Sequence, residues 1–139
     1  MNILIVNLIV LLGLFGFSVS FYIYDKKKQK KKLICPRRSN CETVIHSDYS
    51  RILGVPVEVL GMIYYTFISI TYSAVFIFHI WSQTTALLLL GVSMCSVLFS
   101  VYLVTLQIFI IRHMCVWCLL SAFTSLAIFI LSYINIILY

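Results

Sequence analysis

Charged residues are scarce in this chain of 139 residues. They make up 10% of it, and outside residues 25–56 only Glu58 and Arg112 carry a formal charge. Hydrophobic residues account for 63%, and the mean hydropathy is +1.09. A soluble domain of this size cannot bury so much apolar surface, because a small globule has a large surface for its volume. The composition therefore excludes an ordinary soluble domain and predicts a protein of the lipid bilayer.

A positive segment before the first apolar run is also absent, and no internal repeat is present. The basic residues follow this run, which at about 22 residues exceeds the apolar core of a signal peptide. We therefore predict an uncleaved first helix.

Four apolar runs are long enough to cross a hydrocarbon core of roughly 30 Å, which needs about 20 helical residues. They predict an all-α membrane protein, a four-transmembrane-helix bundle forming a single domain over residues 1–139. The predicted spans are Ile3–Tyr24, Val59–Trp81, Thr85–Ile111 and Cys115–Leu138.

The only long polar loop covers residues 25–56. It contains the basic run Lys26–Lys32, and the segment from Cys41 to about Tyr49 is expected to form a short horizontal helix on the membrane surface. Gly54 and Pro56 are expected to break the chain before the second span. The loop is therefore expected to cap one end of the bundle.

Basic residues are missing from one side of this topology. All ten Lys and Arg fall in the first loop or in the third, and four spans place those two loops on the same side. The positive-inside rule puts that side in the cytosol, although protein disulfides usually form in exoplasmic compartments. We give the charge asymmetry more weight and predict a multi-pass cell-membrane protein with a cytosol-facing site. The lysine run is expected to bind lipid headgroups, at about 1 kcal/mol per residue, rather than nucleic acid.

Two pairs of cysteines are the candidate chemical groups. Cys115 and Cys118 form a C-x-x-C at the start of the fourth span, where they share a helix face and lie at the positive end of the helix dipole. Cys35 and Cys41 lie in the polar loop, beside two arginines that favour thiolates. The pattern predicts a dithiol relay. The alternatives are ordinary buried thiols, a static loop disulfide, or a structural zinc site built from all four cysteines.

Two further residues have simpler interpretations. Cys95 follows Gly91 by four residues in the third span, a small-residue spacing that predicts a helix-packing contact. Trp117 lies between the helix cysteines, where it can pack against a neighbouring helix or wall a flat ligand.

The order and spacing of these residues resemble those of the vitamin K epoxide reductase family, in particular its bacterial and archaeal homologues. The resemblance covers nearly the whole chain. It is carried by the loop pair Cys35 and Cys41, Ser47, the Gly54-Val-Pro56 segment, Gly61, Tyr65 and the late Cys115-Val-Trp-Cys118.

This resemblance implies a bundle around a quinone, such as ubiquinone or menaquinone, with no metal cofactor. Cys35 would exchange with a thioredoxin-fold protein acting in trans, and Cys41 would pass electrons to Cys115. Cys118 would face the quinone and form a transient adduct with it. Ser47 would line the quinone pocket, to which we also assign Trp117. Gly61 and Tyr65 would serve packing.

The chain departs from the animal epoxide reductases at two positions. Val57 and Ala122 stand where those enzymes have an asparagine and a tyrosine. We therefore expect a quinone-dependent thiol-disulfide oxidoreductase that supports disulfide formation. The alternatives are vitamin K epoxide reduction and a non-catalytic, zinc-stapled membrane scaffold.

Overall fold

The computed structural model describes residues 2–28, 51–52, 55–106, 108–109 and 116–138. Four helices, α1 to α4, are each long and apolar enough to cross a membrane, and they confirm the predicted all-α bundle. Their bounds are Ile3–Lys28 for α1, Val57–Phe78 for α2, Gln83–Leu106 for α3 and Val116–Leu138 for α4. A spanning helix satisfies its own backbone hydrogen bonds, which a bilayer interior cannot do.

The ends of α2 and α3 have local causes. Helix α2 begins directly after Pro56 and stops at Phe78, three residues before the predicted end, because His79 adopts a left-handed conformation with φ 52°. Helix α3 starts after Ser82, whose hydroxyl accepts a hydrogen bond from the Thr85 amide at 3.2 Å. The second connection is therefore residues 79–82 rather than Ser82–Thr84.

A small antiparallel strand pair precedes α2, which sequence inspection did not predict. Strand β1, Arg51–Ile52, pairs with β2, Val55–Pro56, in the register Arg51 to Pro56 and Ile52 to Val55. The predicted horizontal helix between Cys41 and Tyr49 lies outside the described residues. The strand pair thus forms the last described part of the loop before the membrane.

Helix α1 is central to the packing, because it lies against both α2 and α4 while α3 packs against α4. Small residues allow the close approach of α1 to α2. A Cβ atom at Gly16 would overlap the ring of Tyr65, and one at Gly61 would lie 2.9 Å from the Ser20 hydroxyl oxygen. The predicted packing role of Gly61 and Tyr65 agrees with these contacts.

The apolar core lies where α1, α2 and α4 meet, with one residue of α3. Many large apolar side chains instead point outward, for example Leu4 at 73% exposure and Phe123 at 68%. Such exposure suits lipid, where the hydrophobic effect does not oppose it. The core consists of Ile5, Val6, Ile9, Tyr65, Ile68, Tyr72, Leu89 and Ile128.

The predicted packing contact at Gly91 and Cys95 is wrong within this chain. Cys95 is exposed, and a Cβ added at Gly91 would meet no atom of the described residues within 4 Å. Helix α3 instead buries Ala86, Leu89 and Ser93. Positions 91 and 95 are each two residues from Ser93, and a two-residue step on an α-helix leads to the opposite face.

Candidate functional site

Cys118 is the predicted catalytic residue that the structure describes. It is the third residue of α4 and is half-buried, so it lies in the first turn, where unpaired backbone N–H groups attract negative charge. This position confirms that Cys118 lies at the start of the fourth helix. Cys35, Cys41, Ser47 and Cys115 lie outside the described residues, and their roles stay predictions.

Trp117 packs against α1. Its ring lies 5.0 Å from the ring of Tyr22, measured between centroids, with an interplanar angle of 44°. The ammonium group of Lys26 lies 5.7 Å from the centroid of the same Tyr22 ring. The start of α4 is therefore fixed to the basic end of α1, which brings positive charge close to the C-x-x-C segment.

Hydroxyl groups line the inner face of α4 beyond Cys118. The Tyr65 hydroxyl donates to the Ser121 carbonyl at 2.7 Å and lies 3.0 Å from the Ser121 hydroxyl. Deeper in the bundle, the Tyr72 hydroxyl donates to the Ser132 hydroxyl at 2.8 Å. These bonds join α2 to α4 at two levels, and in a bilayer each such interhelical bond contributes about 0.6 kcal/mol on average.

A second group of hydroxyls lies where α2, α3 and α4 meet. We call Tyr64, Ser93, Ser96 and Ser125 the hydroxyl cluster. Ser96 and Ser125 form a hydrogen bond at 2.7 Å, and the Tyr64 hydroxyl lies in the neighbourhood of all three serine hydroxyls. Yet the buried hydroxyl oxygens of Tyr64 and Ser93 have no hydrogen-bond partner among the residues that the structure describes.

Leaving these two hydroxyls unpaired is costly. Ser93 is 0% exposed, and both hydroxyl oxygens are shielded from solvent. Burying a hydroxyl without a partner costs roughly 2–7 kcal/mol, depending on the reference medium, and lipid supplies no partner. A phenylalanine at position 64 and an alanine at position 93 would fill nearly the same space without this cost. The cluster is therefore a polar site inside the bundle whose hydrogen-bonding capacity is not fully used.

The hydroxyl cluster was not predicted from the sequence, although the spacing of the serines in α4 pointed to part of it. Ser121, Ser125 and Ser132 follow Cys118 at helical spacing, so they continue along the helix face of the thiol. Polar residues within a span usually face the bundle interior and mark functional sites. The contribution of α2 and α3 could not be read from this spacing.

The described residues contain no group of three His, Cys, Asp or Glu side chains placed to hold a metal ion. Three of the four cysteines of the zinc alternative lie outside those residues. The absence of a zinc site therefore stays a prediction, which metal analysis can test.

The four spanning helices define a multi-pass membrane protein. The last helix has a cysteine in its first turn and hydroxyls along its inner face, which together form a thiol-containing site. A model of the vitamin K epoxide reductase family matches residues 7–133. The chain therefore belongs to this family of membrane oxidoreductases, which confirms the family predicted from the cysteine spacing. No curated protein matches the chain.

Proposed function

We propose that this protein is a quinone-dependent thiol-disulfide oxidoreductase, with residues 1–139 acting as one unit. The single observation that carries the proposal is the half-buried Cys118 in the first turn of α4, within a chain that belongs to the vitamin K epoxide reductase family. A thiol in this position can exchange disulfides with a loop above it and also face the bundle interior.

Electrons would pass from one dithiol to the next. The thiolate of a thioredoxin-fold partner attacks the Cys35–Cys41 disulfide, so the partner becomes oxidised and the loop pair reduced. The Cys41 thiolate then attacks the Cys115–Cys118 disulfide, which leaves the helix pair reduced and the loop pair oxidised again. Cys118 would face the quinone, with Ser47 and Trp117 proposed to line the same pocket.

The interior offers hydrogen-bond donors to a ring that carries acceptor oxygens. The unpaired hydroxyls of Tyr64 and Ser93 are hydrogen-bond donors, and the surrounding helices are apolar. A bound quinone supplies a two-electron acceptor at this site. Dithiols of thioredoxin-fold proteins have potentials of roughly −120 to −270 mV, and every 30 mV gained yields about 1.4 kcal/mol for two electrons. Transfer to a quinone of higher potential is therefore favourable.

Two hydrocarbon side chains favour simple quinone reduction over epoxide reduction. Val57 begins α2, and Ala122 lies half-buried in α4, four residues after Cys118. Neither side chain can donate a hydrogen bond to an epoxide or carbonyl oxygen. We therefore propose a quinone as the substrate that accepts the electrons.

The test uses the purified chain, a reduced thioredoxin-like protein and a soluble quinone analogue. We expect thiol-dependent reduction of the quinone, and we expect Cys118→Ala to reduce it to background. Cys95→Ala is the matched control, because Cys95 is exposed on the opposite side of α3 from the hydroxyl cluster. Full turnover by Cys118→Ala would refute the relay. One zinc per chain without thiol–quinone activity would support the scaffold instead.

The orientation of the site is a separate proposal. The asymmetry of the Lys and Arg residues places the loop and the start of α4 on the cytosolic side of the cell membrane. An impermeant thiol reagent applied to intact cells under reducing conditions should leave Cys35 unlabelled. Labelling from outside would show that the site is exoplasmic.

A further inference from the structure

The hydroxyl cluster has the features of a ligand site rather than of a packing contact. Ser93 is fully buried and its hydroxyl has no partner in the described part of the chain, and the same holds for the hydroxyl group of Tyr64. By contrast, Ser96 and Ser125 already bond to each other at 2.7 Å. Two unpaired donors beside a satisfied pair leave hydrogen-bonding capacity where α2, α3 and α4 meet.

The cluster lies close to Cys118 along α4. Ser125 follows Cys118 by seven residues, which is about 10 Å along the helix axis and nearly the same angular position. Helical side chains lean towards the amino terminus of their helix, so that of Ser125 leans towards Cys118. A six-membered ring bound along this interval would meet a sulfur at one end and a hydrogen-bond donor at the other.

The aromatic neighbours of Tyr64 leave its hydroxyl close to Ser125 and without a partner in the described part of the chain. The rings of Tyr64 and Tyr65 contact each other edge to face, with centroids 5.1 Å apart. The Tyr65 hydroxyl is held by Ser121, one turn from Cys118. Tyr65 thereby fixes the position of Tyr64, whose own hydroxyl stays available.

We propose that the hydroxyl cluster binds a carbonyl oxygen of the quinone, with Tyr64 and Ser93 as the donors. The proposal rests on the function given above and adds four residues to the site, none of which belongs to the predicted quinone pocket of Ser47, Trp117 and Cys118. These residues are binding residues: the cluster holds the ring by its oxygen and orients it, while electron transfer belongs to the cysteines.

The test measures binding without any thiol donor. Wild-type protein, Tyr64→Phe and Ser93→Ala are titrated with a short-chain ubiquinone analogue and a short-chain menaquinone analogue, and thermal stabilisation gives the apparent Kd. We expect each variant to bind about tenfold more weakly, the equivalent of about 1.4 kcal/mol. Tyr72→Phe is the matched control. It also removes a tyrosine hydroxyl from α2, but that hydroxyl already donates a hydrogen bond to Ser132. Its Kd for quinone should not change.

A spectroscopic readout separates ligand binding from a structural role. A hydrogen bond to a quinone carbonyl lowers its infrared stretching frequency, so the bound wild type should show a carbonyl band shifted below that of the free quinone. Tyr64→Phe should lose this shift and Tyr72→Phe should keep it. Unchanged Kd and unchanged band position in both Tyr64→Phe and Ser93→Ala would overturn the proposal and would indicate a buried water at the cluster instead.

The outcomes also distinguish this proposal from the relay. If wild-type protein reduces quinone with thiols but Tyr64→Phe binds quinone normally, only the hydroxyl-cluster proposal fails. If quinone binding depends on Tyr64 but Cys118→Ala retains turnover, the cysteine relay fails and the cluster stands. If the wild-type protein binds neither quinone analogue, both fail.

Discussion

The two halves of the bundle treat the same kinds of polar side chain differently. In the half away from the polar loop, Tyr72 is buried and its hydroxyl is paired with Ser132, beside the fully buried Ile128. In the half beside Cys118, the Tyr64 hydroxyl is buried, and it meets the fully buried Ser93 near the middle of the bundle. Both hydroxyls lack partners among the described residues. The Tyr72–Ser132 bond stabilises the fold, while the unpaired hydroxyls of Tyr64 and Ser93 are an unfavourable arrangement that a ligand can relieve. Strained or unsatisfied groups of this kind gather at functional sites.

The largest expected effect on stability lies in the half away from the loop. Ile128→Ala removes a side chain that is 0% exposed, and it should lower the free energy of unfolding by about 2–5 kcal/mol through lost contacts and a cavity. Ile130→Ala is the control, because Ile130 is 47% exposed on the outer face of the same helix. Reversible unfolding in mixed detergent micelles measures both. Equal losses would show that the core is not where the structure places it.

A smaller loss is expected at the contact of α1 with α2. Gly16→Ala forces a methyl group into the ring of Tyr65 and should destabilise the protein by about 1–3 kcal/mol. Because Tyr65 adjoins Tyr64, this variant should also weaken quinone binding, which unfolding and quinone titrations together can measure. Gly91→Ala should leave both unchanged, since Gly91 faces open space. A stable Gly16→Ala protein would contradict the close approach of the two helices.

The two tyrosine variants compare the halves most directly. Tyr72→Phe breaks a buried hydrogen bond and strands the Ser132 hydroxyl, so it should destabilise the protein by about 1 kcal/mol. Tyr64→Phe removes an unpaired hydroxyl and should be neutral or slightly stabilising without quinone. The measurement is unfolding of the quinone-free protein. If Tyr64→Phe were the more damaging variant, its hydroxyl would be paired in the folded protein.

The smallest effect is expected at the satisfied pair of the hydroxyl cluster. Ser96→Ala removes the 2.7 Å bond to Ser125 and should cost about 0.6 kcal/mol, the average for an interhelical hydrogen bond in a membrane. Ser93→Ala removes a hydroxyl that makes no such bond, so it should cost less or stabilise the quinone-free protein. Unfolding of the two variants under identical conditions decides between these outcomes.

Several elements of the fold were readable from local pattern. The four spans follow from apolar length, and α4 begins next to the predicted Cys115, with Cys118 in its first turn. The end of α2 was less accurate, at Phe78 rather than Trp81, and the predicted end of the third span at Ile111 lies outside the described residues. Ile80 and Trp81 continue the apolar run past the end of α2, so hydropathy alone does not mark where that helix stops. At the end of α2, the left-handed His79 marks it.

Which face of a helix is buried was not readable from spacing. The Gly91 and Cys95 spacing suggested a packing face, and the structure directs the opposite face of α3 inward. In a soluble helix an apolar stripe identifies the buried side, whereas in a bilayer both sides are apolar. The serines of α4 were the better guide, since polarity remains informative within lipid.

The amino-acid sequence by itself determined the membrane class, the number of spans and the family, because apolar length and cysteine order are properties of the linear chain. Only the tertiary structure decided that Tyr64 of α2, Ser93 and Ser96 of α3 and Ser125 of α4 meet at one place. Tyr64 and Ser125 are 61 positions apart in the chain. Their meeting depends on how three helices are rotated about their axes, and that rotation is set by packing of the whole bundle rather than by any local pattern.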